Sequence, residues 1–591
     1  MRAAIWKPGE MTSGSDGNTA HDPLQASEPS LKTRQADRTV LAAAVLFALV
    51  GLGLQWWRLQ VLTASMDQGI FLQVLWNSLR GHPFESTLSS QLSSNVVHAG
   101  QLPALGYPRL GQHFTPILLI WAPLVGVMGK WALPLVQVGL MTAAGLVLFR
   151  LARQHLAPAP ASWIALSFFA SLTVIGPTWG NFTDLCQLPL CFFLLLLGLD
   201  LCNRWLILFS ALALPLIRED TGILLIGVGL WMAVRQPQRW RLAAALALWG
   251  GGWVGVVTNV LMPLFSDDNA RRFMVENFGH YIPQHDRASS LEVLQEVLGQ
   301  PLVLLRELVN PPGRTLAYLA AQGLPLLFVP LISLDSWLLM GLPLTGLLLA
   351  QGSNDPLSIN IRYTLLVVPG LFAGAIAWWQ RHPHALHSRR LRRVWAGCIV
   401  LSLLVTLTGN PNRSLSWLIP DSIQPWVYSS PWRQWRHGLL AQAAIRPIPR
   451  GASVAASTPL IPHLADRAVL VRFPNDRTYL DRRGQAQQVD WIAVDLDWLE
   501  RYAVAFRSDR ALLSRSLSAV HNLQGSYEVQ RVLDGVVVLQ RHGPPHVLAQ
   551  QQLSTLLKEI QIPPSPSSGI KADLVSTSAT TWTNKKPHRI R

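Results

Sequence analysis

The stretch TVLAAAVLFALVGLGLQWWRLQVL, residues 39–62, decides the class of fold. Arg58 is its only charged residue, and it lies near the end of the stretch. About 20 consecutive apolar residues in an α-helix cross the hydrocarbon core of a bilayer. We therefore predict a transmembrane helix over residues 39–62.

Similar apolar runs recur along most of the chain. Half of the 591 residues are hydrophobic and only 14% are charged, which is too little charge for a soluble protein of this length. The runs predict an all-α polytopic membrane bundle over residues 39–410, with about eleven crossings. The further candidate spans are one crossing within 114–151, then 160–178, 186–201, 205–217, 221–234, 240–264, 315–334, 336–350, 362–380 and 394–410.

The basic residues orient this bundle. The net charge is +16, but the positive charge lies mostly in short loops between apolar runs, which favours membrane topology over nucleic-acid binding. The loop 380–394 is the most basic of them and is predicted to be cytoplasmic; it contains Arg381, Arg389, Arg390, Arg392 and Arg393. The resulting topology has the N-terminus inside, outer loops at 63–113 and 265–314, and the C-terminus outside. We predict a multi-pass protein of the plasma or inner membrane, with the lipid bilayer as its partner.

One segment does not fit a simple alternation of spans. Residues 114–129 and 131–151 are both apolar, yet the orientation allows one net crossing between them. One of the two pieces is therefore predicted to be either re-entrant or a helix lying in the interface, and both alternatives remain open.

The pattern changes after residue 410. Apolar runs shorten to strand length, as in DWIAVDL (490–496) and YEVQRVLDG (527–535), and Asp534-Gly535 is a hairpin-turn signal. We predict a small extracytoplasmic α/β domain over 411–545. The polar ends predict a disordered cytoplasmic tail over 1–38 and a mostly disordered tail over 546–591.

Polar residues with possible chemistry gather on the predicted outer side. Asp67 opens an amphipathic stretch predicted to lie at the outer interface, where it is either a functional carboxylate or a helix N-cap. His113 precedes the apolar stretch FTPILLIWAPL and is either a ligand-binding or a structural histidine.

Charged residues also flank two of the predicted spans. Arg218, Glu219 and Asp220 are consecutive charges between two apolar runs, and they indicate either a functional site or a local ion pair in a short loop. Arg362 and Tyr363 begin a span on the outer side. An arginine there would bind an anionic phosphate or extend to lipid headgroups.

Several of these stretches together resemble one known family. The chain is similar to the membrane proteins grouped as domain of unknown function 2079, which are placed beside the GT-C glycosyltransferases. The motifs that carry the resemblance are MDQGIFLQVLWNSLRGHPFESTLSS (66–90), GQHFTPILLIWAPL (111–124), LIREDTGILLIGVGLW (216–231), IRYTLLVVPGLF (361–372), ASTPLIPHLADRAVLVRFPN (456–475) and VDWIAVDL (489–496). One departure is Phe182-Thr183-Asp184, where the family usually has Phe-His before the acidic residue.

The resemblance implies a GT-C-like bundle that transfers a sugar from a polyprenyl-phosphate donor to an envelope acceptor outside the cytoplasm. It implies catalytic roles for Asp67 and His113, with Glu219 and Asp220 in support. Arg218, Arg362 and Tyr363 would bind the donor phosphate. No cofactor is predicted with certainty; a divalent metal is possible, but the Asp67 motif lacks the close second carboxylate that would favour one.

The same resemblance singles out His463 and Arg467 in the outer domain. We predict that both face the bundle close to the 63–113 loop and orient the domain as a lid over the site. Two other functions stay open. A transporter or lipid- and glycan-handling protein predicts a midplane site and internal repeats, and a structural protein predicts that Asp67 is dispensable.

Overall fold

The computed structural model describes residues 31–96, 100–283, 285–350, 356–523, 525–560 and 562. Most of each predicted tail lies outside these ranges. The part of each tail within them is helical, since the first helix begins at Leu31 and the last covers Val547–Glu559. The last helix buries Ala549 and Leu553 beside the sheet of the outer domain, and so extends that domain beyond residue 545.

The part of the chain before residue 410 is helical. Many of its helices end at a proline or a charged connection, so they are shorter than the apolar runs that predict them. The helices are α1 (Leu31–Gln60), α2 (Met66–Ser78), α3 (Thr87–Val96), α4 (Ala122–Met128), α5 (Ala132–His155), α6 (Pro158–Phe169), α7 (Leu172–Trp179), α8 (Leu188–Asp200), α9 (Arg204–Ile217), α10 (Ile223–Arg235), α11 (Trp240–Val256), α12 (Glu276–Phe278), α13 (Ser290–Gly299), α14 (Pro301–Glu307), α15 (Pro312–Gly323), α16 (Val329–Ile332), α17 (Leu334–Leu349), α18 (Val368–Arg381) and α19 (Arg389–Thr408).

The number of membrane crossings is not confirmed as about eleven. By length and composition the described residues hold four candidate spans, at Leu31–Gln60, Pro116–His155, Pro237–Leu264 and Arg389–Thr408. A fifth would be the pair α6 and α7, which is bent by 43°. Prolines inside α7, α9 and α17 help explain the shortfall, because an interior proline removes a backbone hydrogen bond and kinks or shortens a helix.

Polar contacts gather several helix ends at one end of the bundle. The buried carboxylate of Asp335 accepts hydrogen bonds from Trp231 Nε1 at 2.9 Å, from Arg235 Nε at 2.8 Å and from the Arg381 guanidinium. These residues end α10 and α18 and begin α17. The basic loops predicted to be cytoplasmic after α10 and α18 therefore lie together.

The C-terminal part is an α/β domain, as the sequence predicts. Its main sheet has the order β4-β3-β7-β9-β8; β4, β3 and β7 are parallel, and β9 runs antiparallel to β7 and β8. The strands are β1 (Ser422–Ile423), β2 (Trp426–Val427), β3 (Val454–Ala456), β4 (Leu470–Arg472), β5 (Thr478–Leu480), β6 (Ala486–Gln488), β7 (Trp491–Asp495), β8 (Tyr527–Leu533) and β9 (Val536–Arg541). The helices are α20 (Pro431–Ile445), α21 (Ile461–Leu464), α22 (Leu496–Ala503), α23 (Arg507–Asn522) and α24 (Val547–Glu559).

Both faces of this sheet are buried. On β7, Trp491 and Ala493 join the hydrophobic core that is continuous with the membrane bundle, while Ile492 and Val494 join a separate core with α22, α23 and α24. The predicted hairpin between β8 and β9 is confirmed, with positive φ values at Asp534 and Gly535. The domain is thus fused to the bundle through one sheet face.

The open edge of the sheet is closed by a helix of the first outer loop. The Thr87 hydroxyl donates to the Leu470 carbonyl at 2.7 Å and accepts from its amide at 3.0 Å. One turn later, the Gln91 side chain donates to the Arg472 carbonyl at 3.0 Å and accepts from its amide at 2.6 Å. Side chains of α3 therefore satisfy the backbone of edge strand β4 as a neighbouring strand would.

Helix α20 is fixed to the sheet by a buried histidine. His437 Nε2 lies 2.9 Å from Asp495 Oδ2, and its Nδ1 lies 2.8 Å from Asp534 Oδ2. These carboxylates raise the pKa of His437 to about 9, against the cost of burial. The imidazole is therefore charged at neutral pH and holds α20 against β7 and the β8–β9 turn.

We predict a pH dependence of stability from this contact. Because the pKa of His437 is raised in the folded state, its contribution is complete below about pH 6.5 and is lost as the pH rises through about 9. At pH 6 the free energy of unfolding of the variant His437→Gln should be lower than that of the wild type by on the order of 3 kcal/mol. At pH 10 that difference should be much smaller. Thermal midpoints of the detergent-solubilised full-length protein would test this, and a difference that stays the same at both pH values would contradict it.

The grouping of helix ends also makes the sidedness testable. A reporter active only in the cytoplasm should stay silent when fused after Arg541 and should be active when inserted near Ser388, in the loop predicted to be cytoplasmic. A strong cytoplasmic signal after Arg541 would overturn the orientation derived from the basic loops.

Candidate functional site

The first site residue, Asp67, lies in the first turn of α2. The prediction that this helix is amphipathic, with a single apolar face, is wrong. The helix is buried on nearly all sides, between α3, α4 and α21 of the outer domain. Ser65 occupies the N-cap position, so Asp67 is free of the capping role. Its Oδ2 lies 3.2 Å from Arg362 Nη1, and the two side chains are 31% and 29% exposed.

His113 and Glu219 form a second pair beside it. His113 Nδ1 lies 2.9 Å from Glu219 Oε1, and the amide of Phe114 donates to Glu219 Oε2 at 2.9 Å. Burial lowers the pKa of His113 well below its ordinary value and raises the pKa of Glu219 to about 7. The carboxyl of Glu219 is therefore the member of the pair that titrates near neutral pH.

Arg218 and Asp220 form a third pair, in which the two side chains bind each other bidentately. Asp220 accepts two hydrogen bonds from the Arg218 guanidinium, from Nε at 2.8 Å and from Nη2 at 2.6 Å, and Arg218 is only 2% exposed. The guanidinium lies 5.8 Å from the Tyr363 ring centroid, and that of Arg362 lies 5.2 Å from it. Tyr363 therefore connects the Arg218–Asp220 pair to the Asp67–Arg362 pair.

A cavity at the start of α2 brings these groups together. Its empty volume is about 470 Å³, including the part open to solvent. Four residues predicted from the sequence line it, namely Asp67, His113, Arg362 and Tyr363. The other lining residues are Met66, Leu92, Arg272, Phe273, Glu276 and Asn277. Glu219, Arg218 and Asp220 stand behind this lining.

His463 and Arg467 lie apart from the cavity but against the rest of the protein. His463 accepts a hydrogen bond from Lys130 Nζ at 2.8 Å and donates from Nε2 to the Leu59 carbonyl at 2.9 Å. Burial and Lys130 lower its pKa to about 3, so the imidazole is neutral. The Arg467 carbonyl accepts from Gln73 at 3.2 Å, while its guanidinium binds carbonyls of its own domain. His463 thus contacts the bundle, and the backbone of Arg467 contacts the 63–113 loop, but the Arg467 side chain faces its own domain. The role as part of a lid stays a prediction.

Sequence reasoning missed two groups of site residues. Arg272 and Glu276 come from the 265–314 loop: Arg272 lies in a π-helix over Asn269–Val275, and Glu276 begins α12. The only signal for them is a pair of adjacent arginines in that loop. Arg109 and Asp184 lie buried behind the cavity, and one carboxylate oxygen of Asp184 has no hydrogen-bond partner.

A metal site is not formed by these residues. Among the residues that the structure describes, no group of three or more His, Cys, Asp or Glu side chains could hold a metal ion. The cavity has Asp67, Glu276 and His113 in its wall, but Asp67 is engaged by Arg362. The residues therefore do not fit the divalent metal that the resemblance allows.

Comparison with known proteins identifies the family. The family described as "Predicted membrane protein (DUF2079)" matches residues 58–538, a range that includes the cavity and most of the outer domain. The chain belongs to this family. A comparison with curated proteins finds no match.

The His113–Glu219 pair predicts a titration that can be observed directly. Because the pKa of Glu219 is raised to about 7, its carboxyl should be protonated at pH 5 and ionised at pH 9. Infrared difference spectra of the full-length protein should show a protonated-carboxyl band that disappears over this range.

The band should be absent in Glu219→Gln and retained in Asp220→Asn, because Asp220 is paired with Arg218. A band that titrates near the ordinary value for glutamate, or that survives in Glu219→Gln, would contradict the assignment.

Proposed function

We propose that this protein of the DUF2079 family is a membrane glycosyltransferase that moves a sugar from a polyprenyl-phosphate donor to an envelope acceptor outside the cytoplasm. The observation that carries the proposal is the cavity at the start of α2. It combines an accessible carboxylate, Asp67, with two guanidinium groups, Arg272 and Arg362. A carboxylate to receive a proton and cations to receive a phosphate are the groups that such a transfer needs.

The Asp67–Arg362 pair supplies the central step of the proposed mechanism. A donor phosphate that binds Arg362 replaces Asp67 as its partner and leaves the carboxylate free to act as general base. The acceptor hydroxyl oxygen attacks the anomeric carbon of the donor sugar, and its proton passes to Asp67. The bond from that carbon to the phosphate oxygen breaks, and its electron pair stays on the polyprenyl phosphate beside Arg362 and Arg272.

The remaining site residues have positioning roles in this mechanism. The Arg218 guanidinium is paired with Asp220, so it does not bind the phosphate itself. It contacts the Tyr363 ring and adds positive potential to the site. Glu219 holds His113 at the cavity wall and fixes which ring nitrogen carries a proton.

A lipid-linked donor is supported by the same loop that closes the cavity. Arg272, Phe273, Glu276 and Asn277 line the cavity. The next helices of the loop, α13 and α14, have several exposed leucines. These are Leu291, Leu294, Leu298, Leu302 and Leu305. An apolar surface of this kind suits the polyprenyl chain or the outer leaflet that holds it.

The proposal includes the full topology. The helices shorter than a span, such as α9, α10 and α17, would complete about eleven crossings by packing within the bundle, with the N-terminus inside and the C-terminus outside. The Asp335 cluster supports this arrangement, because it joins ends that the positive-inside rule places on one side.

The test is sugar transfer by the full-length protein in nanodiscs. A panel of polyprenyl-phosphate monosaccharides serves as donor, and an envelope-glycan extract serves as acceptor. Asp67→Asn should lower transfer at least about 100-fold and still bind donor, because a general base is lost while the arginines remain. Asp286→Asn, which changes an exposed carboxylate outside the cavity lining, is the matched control.

Two results would contradict the proposed glycosyltransferase activity. If the wild type binds the donor lipids but transfers no sugar, and Asp67→Asn changes nothing, a lipid- or glycan-handling protein is the better description. Unchanged lipid-linked sugars and envelope glycans in cells that lack the protein would lead to the same conclusion.

A further inference from the structure

The segment between α19 and the core of the outer domain has an unusual surface. It contains the small hairpin of β1 and β2 and the start of α20. Ile423, Trp426 and Trp432 are 74%, 63% and 75% exposed, and Leu418 and Leu439 are exposed beside them in sequence. Large apolar side chains in such number at one place mark an interaction surface.

This surface begins where the first span ends. Trp435 of α20 stacks on Trp57 at 6.0 Å and contacts Trp56 at 5.3 Å between ring centroids. Trp56 and Trp57 are in the last turns of α1, and Trp56 is itself exposed. The exposed surface of α20 is therefore continuous with the lipid-facing side of a candidate membrane span.

The crossing of α20 over α1 is close and fixed. A Cβ on Gly438 would lie 2.0 Å from the carbonyl oxygen of Gln60, so the two backbones touch at this point. Gln442 adds a hydrogen bond to the Gln60 side chain at 3.1 Å. Helix α20 is thereby held at the level of the outer end of α1, which is the level of the lipid headgroups.

The charges on the same helix are positive. Arg433 and Arg436 are exposed next to Trp432, and Arg433 also lies 3.2 Å from Asp497. Tryptophan and arginine side chains together are typical of a membrane interface, where the rings enter the headgroup layer and the guanidinium groups bind phosphates.

We infer that Ile423, Trp426, Trp432 and Leu439 insert into the headgroup region of the outer leaflet, with Arg436 on anionic lipid phosphates. The hairpin and α20 thus form a peripheral anchor that fixes the outer domain on the bilayer beside α1. This anchor is independent of the sugar-transfer chemistry and would serve any function of the cavity.

The anchor can be tested with spin labels on the full-length protein in nanodiscs. In a background in which Cys186, Cys191, Cys202 and Cys398 are replaced by serine or alanine, single cysteines are introduced as Trp426→Cys and Trp432→Cys. Gln551→Cys on α24, an exposed position on the other side of the sheet, is the matched control. Each label is then exposed to oxygen, which concentrates in lipid, and to a water-soluble nickel chelate.

Labels at 426 and 432 should be accessible to oxygen and protected from the nickel chelate, and the label at 551 should show the opposite. Anionic lipid should increase the depth of the labels at 426 and 432 in the bilayer, and Arg436→Gln should remove that increase. Nickel accessibility at 426 and 432 equal to that at 551 would overturn the proposal. Protection of both labels from both reagents would also overturn it, and would show that a second copy or another protein covers the surface.

Discussion

The position of the site depends on how β4, the edge strand of the sheet in the outer domain, finds hydrogen-bond partners. Strand β4 would otherwise present unpaired backbone groups, which is costly inside a protein. Thr87 and Gln91 of the first outer loop bind them instead, and Gln73 binds the carbonyls of Arg467 and Ala468 just before the strand. These contacts hold α2 and α3 between the bundle and the outer domain, so Asp67 on α2 is placed by both.

Close packing reinforces this placement. A Cβ on Gly69 would lie 2.3 Å from Ile461 Cγ2, so α2 approaches the outer domain as closely as a glycine allows. The hydrogen bonds set the register of α2 and α3 along β4, and Gly69 sets the distance of α2 from α21. A helix buried in this way has no need of an amphipathic surface, which explains why the apolar residues of α2 do not face lipid.

The three charged pairs of the site differ in what they can do. Arg218 is buried and bidentate with Asp220, and Glu219 is held by both His113 and the Phe114 amide. Breaking either would leave a buried charge or polar group without a partner, which is expensive. The Asp67–Arg362 pair is half-buried at a cavity and has a single contact of 3.2 Å, so a ligand can replace one partner with little loss. The buried pairs therefore fix the structure of the site, and the half-buried pair can exchange a partner for a ligand.

Much of this architecture could be predicted from local pattern. Alternating apolar residues and the Asp534-Gly535 turn predict β7, β8 and β9, and the isolated charges at Asp67 and Arg362 predict polar groups at the outer ends of helices. Composition gives more spans than the four or five that helix length supports among the described residues, because proline-broken apolar runs look like full spans in composition. The use of Thr87 and Gln91 as a substitute strand could not be predicted either, since nearly 400 residues separate them from β4 and polar residues on a helix have no local signature for that role.

Contacts in the outer domain connect the end of the first span to the cavity. Helix α20 touches α1 at Gly438 and is held to the sheet by His437, whose charge is shared between Asp495 and Asp534. The sheet then binds α3 through β4, and α3 leads back through Leu92 to the cavity wall. The contacts from α1 to α3 are a close backbone contact and hydrogen bonds, and neither kind tolerates a shift of an ångström without losing a partner. A displacement of the outer domain relative to α1 would therefore change the position of Asp67. The domain is part of the structure that positions the site and is not an independent module attached to a membrane bundle.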